Sequence, residues 1–128
     1  MVLLAQSIGA LYGLLAIIFG AFGAHMLKKS FTPEQLASFE TGVKYQMYHS
    51  LVLLMLSFNL NLDTDLEKYM IYCFVIGTFL FSFSIYGLCL SASKGRKLKF
   101  LGPITPIGGL FLVMGWSMLL YSIIRNLL

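Results

Sequence analysis

The chain has 128 residues, of which 59% are hydrophobic and 11% charged, and its mean hydropathy is +0.86. These values leave too few polar residues to cover a water-soluble domain, so composition predicts an integral membrane protein with a single domain, residues 1–128. The net charge of +4 lies in short connectors and not on a basic face with exposed aromatics, which excludes a nucleic-acid-binding protein.

The first predicted helix runs from Val2 to Leu27 without a charged residue, and about 20 apolar residues are enough to cross a bilayer. A cleaved signal peptide is the alternative. No basic residue precedes the run, however, and it is longer than the ~7 to 15 apolar residues of a signal sequence. Small residues recur at helical spacing and predict a seam for close helix packing: Gly9, Gly13, Ala16, Gly20 and Gly23.

The second predicted helix begins before its apolar part. Thr32 is placed to cap it, Pro33 suits the first helical position, and Gln35 completes a capping box. From Pro33 to Lys44 the pattern is amphipathic and favours a segment along the lipid headgroups, with one long helix projecting into water as the alternative. The part that crosses the membrane is then Tyr45 to Leu62.

The third predicted helix follows an acidic connector and extends from Tyr69 to Ser93, again without charge. A polar stripe runs along its second half at helical spacing: Thr78, Ser82, Tyr86 and Cys89. The simple interpretation is that Thr78 and Ser82 bond carbonyls of their own helix, as hydroxyls in membrane helices often do. Tyr86 cannot be explained in this way.

The fourth predicted helix begins near Thr105 and Pro106 and ends near Ile124. Most of the nine cations follow helices one and three, which emerge on the same side. The positive-inside rule therefore places both connectors in the cytoplasm and both termini outside. The predicted fold is an all-α membrane protein, a four-transmembrane-helix bundle with an amphipathic interfacial extension at the start of helix two.

In this topology the notable polar side chains share one depth, the cytoplasmic third of the bundle. Hydrocarbon offers them no partners, so we expect them to bond with one another in a buried network that links four helices. The candidate functional residues are His25, Lys44, Tyr45, Gln46, Tyr48, His49, Ser82, Ser84, Tyr86 and Thr105.

Five segments, in this order along the chain, resemble the motifs of the YgdD-like small membrane proteins. They are Gly20–His25 (GAFGAH), Val43–His49 (VKYQMYH), Leu80–Tyr86 (LFSFSIY), Leu101–Gly109 (LGPITPIGG) and Gly115–Trp116. The resemblance covers nearly the whole chain. It implies a four-helix protein of the bacterial inner membrane, with a transmembrane counterpart in animals and no established reaction. The mitochondrial inner membrane is the alternative location.

Three functions are compatible with the predicted cluster. The first is a small structural or accessory subunit of a larger membrane assembly or homo-oligomer. The second is an oligomeric transporter or channel for a small solute or ion, although no Asp or Glu lies in a crossing segment, so a histidine would have to carry protons. The third is haem or metal binding through His25 and His49.

We expect no enzyme and no cofactor, because the sequence holds no nucleophile with an oriented base, no paired carboxylates and no phosphate-binding glycine loop. Cys73 and Cys89 are sixteen residues apart in one apolar run, so they cannot form a CxxC pair and are expected to be buried packing residues. The cationic connectors are expected to attract anionic lipid headgroups.

Overall fold

The computed structural model describes residues 1–127, in which every regular element is helical. A π-helical turn, Phe79–Phe83, joins the third and fourth α-helices into one continuous rod from Asp65 to Ser93, named the third rod, and short 3-10 turns lie in two connectors. The all-α prediction is therefore confirmed. The helices are α1 (Val2–His25), α2 (Pro33–Asn59), α3 (Asp65–Thr78), α4 (Ser84–Ser93) and α5 (Ile104–Leu127).

Three helical stretches are long and apolar enough to cross a membrane, namely Val2–Lys29, Asp65–Ser93 and Lys99–Leu127. The 27-residue α2 is long enough but is not among them. Its polar side chains, which include Lys44 and Gln46, lower its hydropathy below that of the other three.

The start of α2 has the predicted cap. The Thr32 hydroxyl accepts from the Gln35 backbone N–H, and the Gln35 side chain accepts from the Thr32 N–H. The helix then continues unbroken to Asn59, and Phe39 is buried with its ring 4.8 Å from that of Tyr86 in α4. The predicted extension is therefore the first part of one continuous helix, and its apolar residue Phe39 packs inside the bundle.

α3 begins at Asp65, earlier than the predicted Tyr69. Thr64 caps it, and Glu67 closes a second capping box by accepting from the Thr64 backbone N–H. Asp65 and Glu67 thus lie in the first helical turn and not in the connector, and their carboxylates are stabilised there by the positive end of the helix dipole.

The small residues of α1 face α2 along its whole length, which confirms the predicted seam. A Cβ added at Gly9 would lie 3.1 Å from Leu54, and one added at Gly23 would lie 3.2 Å from Phe39. The second seam joins α3 to α5, where a Cβ at Gly77 would lie 2.9 Å from the Leu112 backbone nitrogen. The bundle is therefore built from two close pairs, α1 with α2 and α3 with α5.

The closest backbone approach lies at the π-helical turn. A Cβ added at Gly108 of α5 would clash with the Phe81 backbone nitrogen and would lie 2.8 Å from the Phe81 Cα and 2.9 Å from the Leu80 carbonyl carbon. A side chain there has no room, because backbone atoms cannot move aside as a side chain can. α5 therefore crosses the third rod at the point where the rod departs from α-helical geometry.

Candidate functional site: a buried polar network

Gln46 is the centre of the network and is fully buried in α2. Its Nε2 donates to the Tyr12 carbonyl of α1 at 2.8 Å, and its Oε1 accepts from the Tyr86 hydroxyl of α4 at 2.7 Å. The Tyr12 hydroxyl in turn donates to the Val75 carbonyl of α3 at 2.9 Å. A continuous chain of hydrogen bonds thus links α3, α1, α2 and α4.

Ser82 and Ser84 extend these links from the third rod. Ser82 donates to the Gly42 carbonyl of α2 at 2.8 Å, and Gly42 has no side chain to block this approach. Ser84 donates to the Phe81 carbonyl, so its contact at 2.6 Å with Thr105 of α5 is one in which Thr105 donates. All five helices are therefore joined by side-chain hydrogen bonds.

The expectation that Thr78 and Ser82 bond carbonyls of their own helix is wrong for both residues. Ser82 bonds α2 instead, and the fully buried Thr78 hydroxyl is the one buried side-chain polar atom that has no partner within residues 1–127. Cys89, the last residue of the predicted stripe, donates weakly to the Gln35 carbonyl at 3.4 Å. The stripe therefore faces α2. Cys73 and Cys89 are free and buried, as predicted.

The bonds of His49 fix its tautomer. Its Nδ1 lies 2.8 Å from the Tyr45 carbonyl, which can only accept, so Nδ1 carries the proton. Its Nε2 accepts from the Trp116 indole N–H of α5 at 3.2 Å. The ring is neutral in this arrangement, and both of its nitrogens are occupied by protein partners.

We expect the His49 signal in ¹⁵N NMR spectra of histidine-labelled protein in micelles to show a protonated Nδ1 and an unprotonated Nε2. Trp116→Phe removes the N–H that Nε2 accepts, and should therefore shift the Nε2 resonance while leaving that of Nδ1 nearly unchanged. The exposed His25 provides the internal reference in the same spectrum. An Nε2–H form of His49 in the unmodified protein would contradict the assigned bonds.

The structure brings six of the ten predicted site residues into these bonds: Gln46, His49, Ser82, Ser84, Tyr86 and Thr105. The side chains of the other four lie outside these bonds. Lys44, Tyr45 and Tyr48 are exposed on α2, and His25 is exposed at the end of α1. The centroid of the Tyr45 ring lies 4.9 Å from that of Phe81, so the ring packs against Phe81 while Tyr45 remains 41% exposed.

His25 does not reach the depth of His49. Gly23, two residues before His25, lies opposite Phe39, and Phe39 is ten residues before His49 in α2, roughly 15 Å at 1.5 Å per residue. The expected single depth is wrong for this residue, because His49 belongs to the middle of α2 and His25 to a helix end. The two imidazoles cannot ligate one haem or metal ion in this arrangement.

The described part of the chain also holds no group of three or more His, Cys, Asp or Glu side chains that could bind a metal.

Sequence reasoning missed two members of the network. Tyr12 lies on the glycine seam of α1, with a residue spacing that places it beside Gly9 and Ala16. This position could have predicted its role, because a tyrosine on a packed seam of small residues has a buried hydroxyl that needs a hydrogen-bond partner. Trp116 carried no such signal, since its position relative to His49 depends on how α5 crosses α2.

Hydrogen bonds hold the polar side chains of the network in place. Every amide and hydroxyl in it, Thr78 excepted, is bonded to another side chain or to a backbone carbonyl within residues 1–127. These bonds fix the register of the helices relative to one another.

Comparison with known proteins shows relatives over nearly the whole chain. The family model described as "Protein of unknown function (DUF423)" matches residues 19–109. A UPF0382 membrane protein of Schizosaccharomyces pombe is 40% identical over 116 residues, which are 89% of this chain and 96% of the relative. The chain belongs to this family of membrane proteins.

The UPF0382 family also includes bacterial relatives. The inner membrane protein YgdD of Escherichia coli is 35% identical over 117 residues, 91% of this chain and 86% of YgdD. A UPF0382 membrane protein of Staphylococcus aureus is 36% identical over 118 residues, 90% of each chain. No solved structure matches. The resemblance to YgdD-like proteins is thereby confirmed, and it establishes a membrane protein of a family whose function is not known.

Proposed function

We propose that this UPF0382 protein is a non-enzymatic accessory subunit that crosses the membrane four times and stabilises a larger assembly or an oligomer of itself. The observation that carries the proposal is a group of polar side chains on the outside of α2, Lys44, Tyr45 and Tyr48, that have no hydrogen-bond or ion-pair partner within residues 1–127. The buried network supports the same proposal, because its hydrogen bonds join all five helices into one scaffold and use every polar side chain in it except Thr78.

Four crossings are supported by the way α2 lies against α1. The seam runs from Gly9 opposite Leu54 to Gly23 opposite Phe39, so the two helices share the same depths over most of their lengths. A helix paired in this way with an apolar span must cross with it. The polar groups that lower its hydropathy, such as Gln46, are paired inside the bundle and do not meet lipid.

The orientation follows from the cations. Lys28 and Lys29 lie after α1, and the segment from Lys94 to Lys99 holds four more cations after α4, so one end of the bundle is strongly basic. The positive-inside rule places this end in the cytoplasm and both termini outside. The inner membrane is the proposed location in bacteria, as the name of the YgdD relative states for that protein.

The outer surface of α2 supports a protein partner. Tyr48 is 55% exposed and Tyr45 is 41% exposed, and Lys44 is exposed beside them. Tyr48 precedes His49 and Ser50, the residues level with the middle of α1, so its hydroxyl lies far from the interfaces where membrane tyrosines usually gather. A partner helix would supply hydrogen-bond acceptors that acyl chains lack.

Site-specific photo-crosslinking tests this proposal. A benzophenone amino acid placed at Tyr48 in the native membrane should give a discrete protein adduct, either with a second copy or with a partner of defined mass. Ile17 of α1 is the matched control, since it is 65% exposed, lies at a similar depth and is wholly apolar. It should give lipid adducts and no protein adduct.

Two outcomes contradict the proposal. Lipid adducts alone at both positions would show that α2 faces acyl chains and has no partner. Flux of a solute through vesicles that contain only this protein, lost on Tyr48→Phe, would show a pathway at this surface instead.

A further inference from the structure

We propose that a groove at the basic end of the bundle binds the headgroup of a zwitterionic phospholipid that carries a primary ammonium, such as phosphatidylethanolamine. The groove has a volume of about 520 Å³ and lies between the start of α2 and the start of α5, with α4 as its floor. This inference rests on the proposed crossing of the membrane by α2, but not on the proposed protein partner.

The groove has the layered chemistry of a lipid headgroup region. Its floor is apolar and is formed by Ile85, Leu88 and Ala92 of α4. Polar side chains line its rim, among them Ser38 and Thr41 of α2. A phospholipid presents the same sequence of groups, from charged headgroup to acyl chain, so its headgroup can meet the rim while its first methylene groups cover the floor.

Two opposite charges on the rim select the headgroup. Glu34 of α2 and Lys97 of the connector line the same groove, and both are exposed. They do not pair with each other, because the one ion pair within 4.0 Å in residues 1–127 joins Lys68 to Asp65. A ligand that offers an ammonium to Glu34 and a phosphate to Lys97 would satisfy both.

Other ligands fit this pair of charges less well. A phosphatidylglycerol headgroup brings the phosphate for Lys97 but places no cation at Glu34. A choline headgroup brings a cation without N–H donors, so it cannot form the charge-assisted hydrogen bonds that a primary ammonium gives to a carboxylate. A soluble headgroup lacks the acyl chains that would cover Ile85 and Leu88.

The groove also lies where a headgroup would be. It is formed by the first turns of α2, the last turns of α4 and the first residues of α5, which meet at the end of the bundle that carries the basic connectors. In a protein that crosses the membrane, this end lies at the level of the headgroups. A lipid of the surrounding leaflet can therefore enter from the side without leaving its layer.

Native mass spectrometry of the purified protein in detergent tests the site, with four ligands: phosphatidylethanolamine, phosphatidylglycerol and phosphatidylcholine with identical acyl chains, and glycerophosphoethanolamine. The ethanolamine lipid should bind most tightly and the soluble headgroup should not bind detectably. We expect Glu34→Gln to weaken binding of the ethanolamine lipid about three- to fivefold while leaving the glycerol lipid unweakened, and Lys97→Gln to weaken all three lipids by a similar factor.

Matched controls come from the same two segments. Glu40→Gln in α2 and Lys99→Gln in the connector make the same charge changes at exposed residues that do not line the groove, so they should leave the preference unchanged. Equal binding of the three lipids to the unmodified protein, or equal effects of the control variants, would overturn the proposal. A folded protein that shows no lipid preference but still crosslinks through position 48 would refute the lipid site alone and leave the accessory role intact.

Discussion

Gly108→Ala should be the most damaging single-methyl substitution in this protein, with an expected loss of about 2 to 3 kcal/mol in the free energy of unfolding. The added Cβ would clash with the Phe81 backbone nitrogen and lie 2.8 Å from the Phe81 Cα. Because these are backbone atoms of a buried helix, α5 would have to move away from the third rod. That movement would also stretch the bond between Ser84 and Thr105.

The neighbouring glycine provides the control for this substitution. A Cβ at Gly109 would meet only the edge of the Phe81 ring, at an ordinary distance of 3.9 Å. Alanine favours a helix over glycine by about 1 kcal/mol, so Gly109→Ala should be neutral or slightly stabilising. Unfolding in a dodecyl sulfate titration can be followed for both variants by the fluorescence of Trp116, the single tryptophan of the chain. Equal stability of the two variants would contradict the close approach.

Gln46→Leu should cost about 2 kcal/mol, because it keeps the side-chain volume but leaves the buried Tyr86 hydroxyl without an acceptor. The loss should be larger than that of Tyr86→Phe, which removes one bond, since Gln46 also donates to the Tyr12 carbonyl. The same detergent titration measures both. Tyr69→Phe serves as the control, because Tyr69 is 61% exposed and should contribute little.

The double variant decides whether the two side chains act as a pair. Gln46→Leu combined with Tyr86→Phe leaves neither an orphan hydroxyl nor an orphan amide oxygen, so its cost should fall below the sum of the single variants by about 1 kcal/mol. Strict additivity would show that the two residues do not bond, and the chain of hydrogen bonds from α3 to α4 would then be broken at its centre.

The sequence predicted the helical class, the seam on α1, the cap at Thr32 and most of the network. These features depend on the spacing of residues along the chain or on the lack of polar partners in lipid. Both can be read from the sequence without knowing how the helices pack. The apolar run of α1 and its glycines at helical intervals needed no knowledge of neighbouring helices.

Features set by contacts between distant helices could not be predicted. The π-helical turn at Phe79–Phe83 lies where Gly108 approaches the third rod, and no local signal in these residues indicates it. The sequence places His25 at the end of α1 but does not show that the network lies further into the bundle. His49 lies at mid-helix, and its partner Trp116 is 67 positions away along the chain.

The position of Gln46 has a consequence for biosynthesis. When only the first two helices have emerged from the ribosome, the amide nitrogen of Gln46 can already donate to the Tyr12 carbonyl. The amide oxygen has no donor until Tyr86, 40 positions later, has been synthesised. In the proposed topology the nascent hairpin therefore enters lipid with the Gln46 oxygen and the Tyr12 hydroxyl still without their later partners. When the later helices dock, they remove the free-energy cost of burying polar groups without partners. The first half of the molecule thus offers a binding surface for the second half. The order of synthesis therefore favours the correct arrangement.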